Sequence, residues 1–102
     1  MNHKIPKRVR PLFERAIALP LPPGWAEVLA NILTTGAMPN HDECRHLSQS
    51  IDRNVSYLAY RLNLLIYVVQ RYMHPWRTIA VKRHLRHLEC VIVIAENESQ
   101  NP

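Results

Sequence analysis

Glycine is nearly absent from this 102-residue chain, with only Gly24 and Gly36 present. Phosphate-cradling loops need several residues free to take positive φ, so nucleotide-binding loops of that kind are excluded. Cysteine is equally scarce. Cys44 and Cys90 are too few for a disulfide scaffold. Long apolar runs are missing as well: the uncharged window around Leu64 to Val69 spans only 62–70, well short of the ~18 residues of a bilayer-spanning helix. The basic start, Met1 to Arg10, leads into an apolar patch interrupted by Arg15, Pro20, Pro22 and Pro23, which is not the pattern of a signal peptide. These absences predict a cytoplasmic protein with reduced thiols and no membrane association. Acidic residues are also few: eight Asp+Glu against thirteen Lys+Arg give +5 at pH 7. A hydrophobic content of 47% is enough for one small folded domain.

Proline is the one breaker in good supply, and it is concentrated at the start. Pro6, Pro11, Pro20, Pro22 and Pro23 forbid a single helix there, because an interior proline removes a donor and clashes with the turn before it. The pattern predicts a basic, extended, proline-rich arm over 1–11 and a short helical turn from Leu12 to Leu19. A second helix follows over Trp25 to Leu33, where Trp25, Val28, Leu29, Ile32 and Leu33 form one buried stripe. Gly36 suits the left-handed position that ends it. Asn40 and Glu43 have capping-box spacing, and no breaker follows until Pro75. One long central helix is therefore expected over about 41–73, some 50 Å at 1.5 Å per residue. Its seam runs through Cys44, Leu47, Ile51, Val55, Leu58, Leu62, Leu65, Val69 and Tyr72 in steps of three and four. A second stripe, Tyr57, Tyr60, Leu64 and Tyr67, covers the adjoining face, and a helix apolar on two faces predicts a further partner, such as a second copy in a homodimer.

His74-Pro75 turns the chain, and Pro75 suits the first position of a C-terminal helix bearing Val81, Leu85, Leu88, Ile92 and Ala95 on one face. Within it, the β-branched run Val91 to Ile94 is compatible with strand as well as helix. The expected architecture is a small all-α domain of hairpin or bundle type over 12–95, with a frayed polar tail over 96–102.

The cations are clustered. Arg71, Arg77, Lys82, Arg83 and Arg86 fall together without an intervening acid, joined by His74, His84 and His87, while Lys4, Lys7, Arg8 and Arg10 occupy the arm. A basic helical face with a basic arm fits the phosphate backbone of nucleic acid, DNA ahead of RNA, and an acidic protein surface is the competing partner. A different reading uses Tyr57, Tyr60, Tyr67 and Trp76 as aromatic anchors, making the chain a modulator of a larger host protein of the kind phages and plasmids deploy. Both tryptophans also suit plugs at the ends of a helical core.

His41-x-x-Cys44 and His87-x-x-Cys90 share helical spacing. In a hairpin turning at His74, however, His87 lies beside Arg61, and the two pairs are about 30 Å apart at 1.5 Å per residue. No metal site and no cofactor is therefore expected. Cys44 beside His41 or His46 lacks an orienting third group, the carboxylates are scattered, and no HExxH, GxSxG or Walker pattern occurs. The expectation is a non-enzymatic protein.

The segment from Ile51 to Asn63 resembles the helical signature of plasmid mobilisation accessory proteins of relaxosomes. The matching positions are Ile51, Asn54, Val55, Leu58, Ala59, Leu62 and Asn63. Asp52 stands where that signature has glycine, and Ser56-Tyr57 where it has Asn-Gln. The resemblance implies an accessory that helps a relaxase engage DNA, although the family's ribbon-helix-helix-like part has no counterpart in the proline-rich arm.

Overall fold

The computed structural model describes residues 5–48, 53–71 and 75–100, and within them the side chains at 41, 44, 48, 53–56, 70, 71, 75, 99 and 100 are not described. The architecture is all-α, with no β-strand among the described residues. In chain order the helices are α1 (Val9–Ile17), α2 (Trp25–Thr35), α3 (His41–Ser48), α4 (Arg53–Arg71) and α5 (Ile79–Gln100), with a 3₁₀ turn at Pro75–Arg77 before α5.

α1 begins three residues earlier than the sequence suggests, so Val9, Arg10 and Pro11 belong to a helix and not to an extended arm. Val9, Leu12, Phe13 and Ala16 recur with helical spacing and are all buried, and that burial outweighs the local proline signal. Pro11 is tolerated because it lies in the first turn, where its missing N–H has no intrahelical acceptor. The backbone N–H of Val9 instead donates to the Pro6 carbonyl at 3.0 Å.

α2 forms as expected, two residues longer. Trp25, Leu29 and Ile32 are fully buried, and Gly36 takes φ 73° with its N–H on the Ile32 carbonyl at 2.8 Å. Gly24 precedes the helix at φ 91°. A Cβ built there would lie 2.6 Å from Cδ2 of Leu47, which puts α3 directly over the start of α2. Asn40 caps α3: its Oδ1 accepts from the Glu43 N–H at 2.8 Å, and its amide donates back to Glu43 Oε1 at 3.1 Å.

The long helix expected over 41–73 is two helices. α3 packs against α4, which a single straight helix would not permit. The whole molecule is also only 42 × 26 × 23 Å, shorter than the roughly 50 Å such a helix needs. The seam residue Ile51 lies outside the described residues, as do Tyr72 and His74. The seam between them holds: Leu58, Leu62, Leu65 and Val69 are buried. The second buried stripe of α4 is Ala59 and Ile66, on the opposite flank from the tyrosines.

α4 and α5 form the expected antiparallel hairpin. Arg61 Nη1 lies 3.2 Å from His87 Nδ1, the pairing implied by a turn at His74-Pro75. Pro75 does not open α5, however. Thr78 caps it, with Oγ1 accepting from the Val81 N–H at 3.1 Å. Val81, Leu85, Leu88 and Ile92 form its buried stripe. The run 91–94 is helix, because only Ile92 continues that stripe while Val93 and Ile94 are exposed. α5 extends through the expected tail: Arg15 donates to Glu96 at 2.6 and 3.1 Å and ties α1 to it. Phe13 meets Trp76 edge to face at 6.3 Å, and Trp25 and Trp76 both fill the core.

Candidate nucleic-acid interface

α5 has a buried stripe and two flanks, and the sequence loads both flanks of its first half with cations. At 100° per residue, Lys82 and Arg86 fall on one side of the stripe and His84 and His87 on the other, with Arg83 facing outward. α1 lies along the first flank and α4 along the second.

Between α1 and α5 runs a groove of about 420 Å³, lined by Arg8, Pro11, Leu12 and Arg15 from one side and Lys82, Leu85, Arg86 and Glu89 from the other. Leu12 and Leu85 form its apolar floor, since both are buried. Arg15 is engaged by Glu96, and this hydrogen-bonded pair raises the arginine's pKa and lowers the glutamate's. Arg8, Lys82 and Arg86 are exposed and have no ion-pair partner among the described residues. Three unpaired cations thus converge on one concave strip from two helices far apart in sequence.

The other predicted cations are placed differently. Arg77 and Arg83 are exposed near the start of α5, and Lys7 is exposed ahead of α1. Arg10 turns away from the groove and donates to the Leu33 carbonyl at 3.2 Å, completing the C-terminal end of α2. Lys4 and the Arg71 side chain lie outside the described residues.

On the α4 flank, Arg61 was not among the sequence candidates, yet it organises the site. Its Nε and Nη2 donate to the Tyr57 hydroxyl at 3.2 and 2.8 Å, and its guanidinium carbon lies 5.2 Å from the centre of that ring. Tyr57 stacks on Tyr60, centroids 6.4 Å apart with the planes 23° off parallel. Both rings are half exposed, at 51% and 52%, and Tyr67 is 43% exposed further along α4. Across the hairpin, burial first, then Arg61, His87 and Arg83, push the His84 pKa below its ordinary value. A sequence signal for Arg61 did exist: residues 53–88 contain no Asp or Glu, so every charge in that segment is positive.

Trp76 does not belong with the exposed tyrosines. At 8% exposure against Phe13 it is core, which removes it from any surface anchor set. The reason is its place in the 3₁₀ turn, which packs against both α4 and α5. The side chains of His41 and Cys44 lie outside the described residues. Cys90 is an exposed free thiol, and no cluster of three metal-ligating side chains occurs among the described residues. No described helix is long and apolar enough to cross a membrane.

Fold and surface together define a small, basic, all-α domain with a cationic groove. No family model matches the chain, and neither a curated protein nor a solved structure is significantly similar to it.

Proposed function

We propose that this is a small non-enzymatic accessory protein that binds nucleic acid, DNA in the first instance, through the α1–α5 groove. The observation that carries this reading is the convergence of Arg8, Lys82 and Arg86 on one strip whose lining holds a single carboxylate, Glu89, with no ion pair to any of the three among the described residues. Like charges held together cost energy unless an anion occupies the site, and a phosphate backbone supplies anions at regular spacing. Arg77, Arg83 and Lys7 are further exposed cations outside the groove lining. The likeness of residues 51–63 to mobilisation accessory proteins supports a role beside a larger DNA-processing enzyme. Its matched positions Leu58, Ala59 and Leu62 serve the core here, while Ile51 and the side chains of Asn54 and Val55 lie outside what the structure describes.

The test is fluorescence-polarisation titration of short duplex and single-stranded DNA at 50 and 200 mM salt. Several phosphate contacts should weaken binding by about a hundredfold across that range. Lys82→Glu combined with Arg86→Glu should abolish binding with helicity intact. Absence of binding at 50 mM, or unchanged affinity in the double variant, would refute the proposal. A modulator docking on a larger protein through Tyr57, Tyr60 and Tyr67 is the second reading, favoured by their exposure and distinguished by an affinity nearly independent of salt.

A further inference from the structure

We infer that the edge of the α4/α5 hairpin is a stacking site for unpaired nucleobases, so that the preferred ligand is single-stranded nucleic acid rather than duplex. The inference rests on the nucleic-acid reading above and adds a second contact surface on the opposite flank of α5.

Tyr57 and Tyr60 are mutually stacked and half exposed. Arg61 holds Tyr57 by two hydrogen bonds to its hydroxyl, so the orientation of this ring is set before any ligand arrives. Arg61 reaches His87 on the neighbouring helix, and Arg83 and His84 lie within electrostatic range of one another there. A stacked ring pair and the Arg61 guanidinium therefore lie side by side along one edge, and the segment 53–88 that supplies them has no acidic residue.

That juxtaposition suits a single strand. Its bases offer π-faces to an aromatic ring while its phosphates meet the cations. A duplex keeps its base faces stacked inside and presents only edges and backbone. A protein partner could use the same Tyr and Arg, which are enriched at interface cores, but covering Tyr57 would also cover the arginine bonded to it. Desolvating that cation without an anion is costly.

The two flanks of α5 then have separate tasks. The α1 side takes phosphates alone through Arg8, Lys82 and Arg86. The α4 side takes a base on the outer face of Tyr60, backed by Tyr57, whose own ring lies between Tyr60 and the Arg61 guanidinium. Tyr60 is the outer ring of the pair and the residue on which base stacking depends most.

The experiment compares a fifteen-nucleotide oligothymidylate with a base-free oligonucleotide of equal length and phosphate count, by fluorescence polarisation at 50 mM salt. The full chain should bind the thymidylate about tenfold or more tightly, given what one or two stacked bases contribute. Tyr60→Ala should erase most of that preference while changing affinity for the base-free strand by less than about twofold. Tyr60→Phe, which keeps the ring, should retain it. Equal affinity for the two oligonucleotides in the unmodified protein would overturn the stacking site and leave the phosphate groove standing. A parallel loss for both ligands in Tyr60→Ala, with unchanged circular dichroism, would also overturn it. Failure of every oligonucleotide to bind, duplex included, would remove both readings together.

Discussion

Replacing Gly24 with alanine tests the docking of α3 directly. Two costs combine at this position. Gly24 has φ 91°, and an L-residue in the left-handed region costs about 1–2 kcal/mol. The new Cβ would also lie 2.6 Å from Cδ2 of Leu47. That atom is the tip of a flexible side chain, so the contact resolves by pushing Leu47 off its rotamer, about 1 kcal/mol more. The sum, about 2–3 kcal/mol, lowers the melting temperature of a domain this size by about 10–20 °C. The two parts separate in a double-mutant cycle with Leu47→Ala, which removes the obstructing methyl. In that background Gly24→Ala should cost only its backbone part, leaving a coupling of about 1 kcal/mol between the two sites. Urea denaturation of the four proteins measures this. Zero coupling would refute the argument, because it would place Leu47 away from Gly24, as in a molecule where residues 41–73 form one straight helix.

Thr78→Ala removes the oxygen that accepts from the Val81 N–H and should destabilise the protein by about 1 kcal/mol, read from urea midpoints; no change would mean that α5 starts at Pro75 instead. His84 gives stability a pH dependence. Its folded pKa lies below the ordinary 6.5, through burial first and then Arg61, His87 and Arg83, so the unfolded chain binds more protons between the two values. That contribution is complete above pH 6.5 and declines as pH falls through the folded pKa. His84→Gln should flatten this part of the stability profile between pH 7.5 and 5.5, and an unchanged slope would refute the assignment.

The elements that could be read from sequence were those whose signals are local and agree with one another. α2 has an apolar stripe, a glycine stop and a clear beginning, and it folded accordingly. The α4/α5 hairpin was legible because Pro75 is a strong breaker and the seams on either side keep helical spacing, so even the Arg61–His87 pairing followed. The division between α3 and α4 carries no glycine or proline, the two strong breakers, so the sequence pattern runs on through it. Ser48, Ser50 and Asp52 favour caps and turns over helix interiors, and Asp52 immediately precedes the observed start of α4. α1 was misjudged for the opposite reason, since its prolines drew more weight than the spacing of Val9, Leu12, Phe13 and Ala16. The α1–α5 groove was beyond local reading. The composition marked Arg8, Lys82 and Arg86 as cations, but only tertiary packing puts them on one strip. Arg61 is a single basic residue on an apolar helix, and only its spacing of four from Tyr57 marks it in the sequence.

The pairing of Arg15 with Glu96 spans 81 positions of the chain, and α5 is the element that covers both α1 and α4. On the ribosome this sets an order of events. α1 and α2 emerge early, yet the apolar side of α1 that faces α5 stays uncovered until residues 79–96 have been translated. The α4/α5 hairpin closes through short-range contacts and forms quickly, whereas docking α1 requires a much larger loop to close. A nascent chain halted before residue 79 would therefore present Leu12, which shares the groove floor with Leu85, without its α5 cover, in a form suited to capture by chaperones or proteases. α5 completes the cover of α1, so this domain finishes folding only after residues 79–96 have been synthesised.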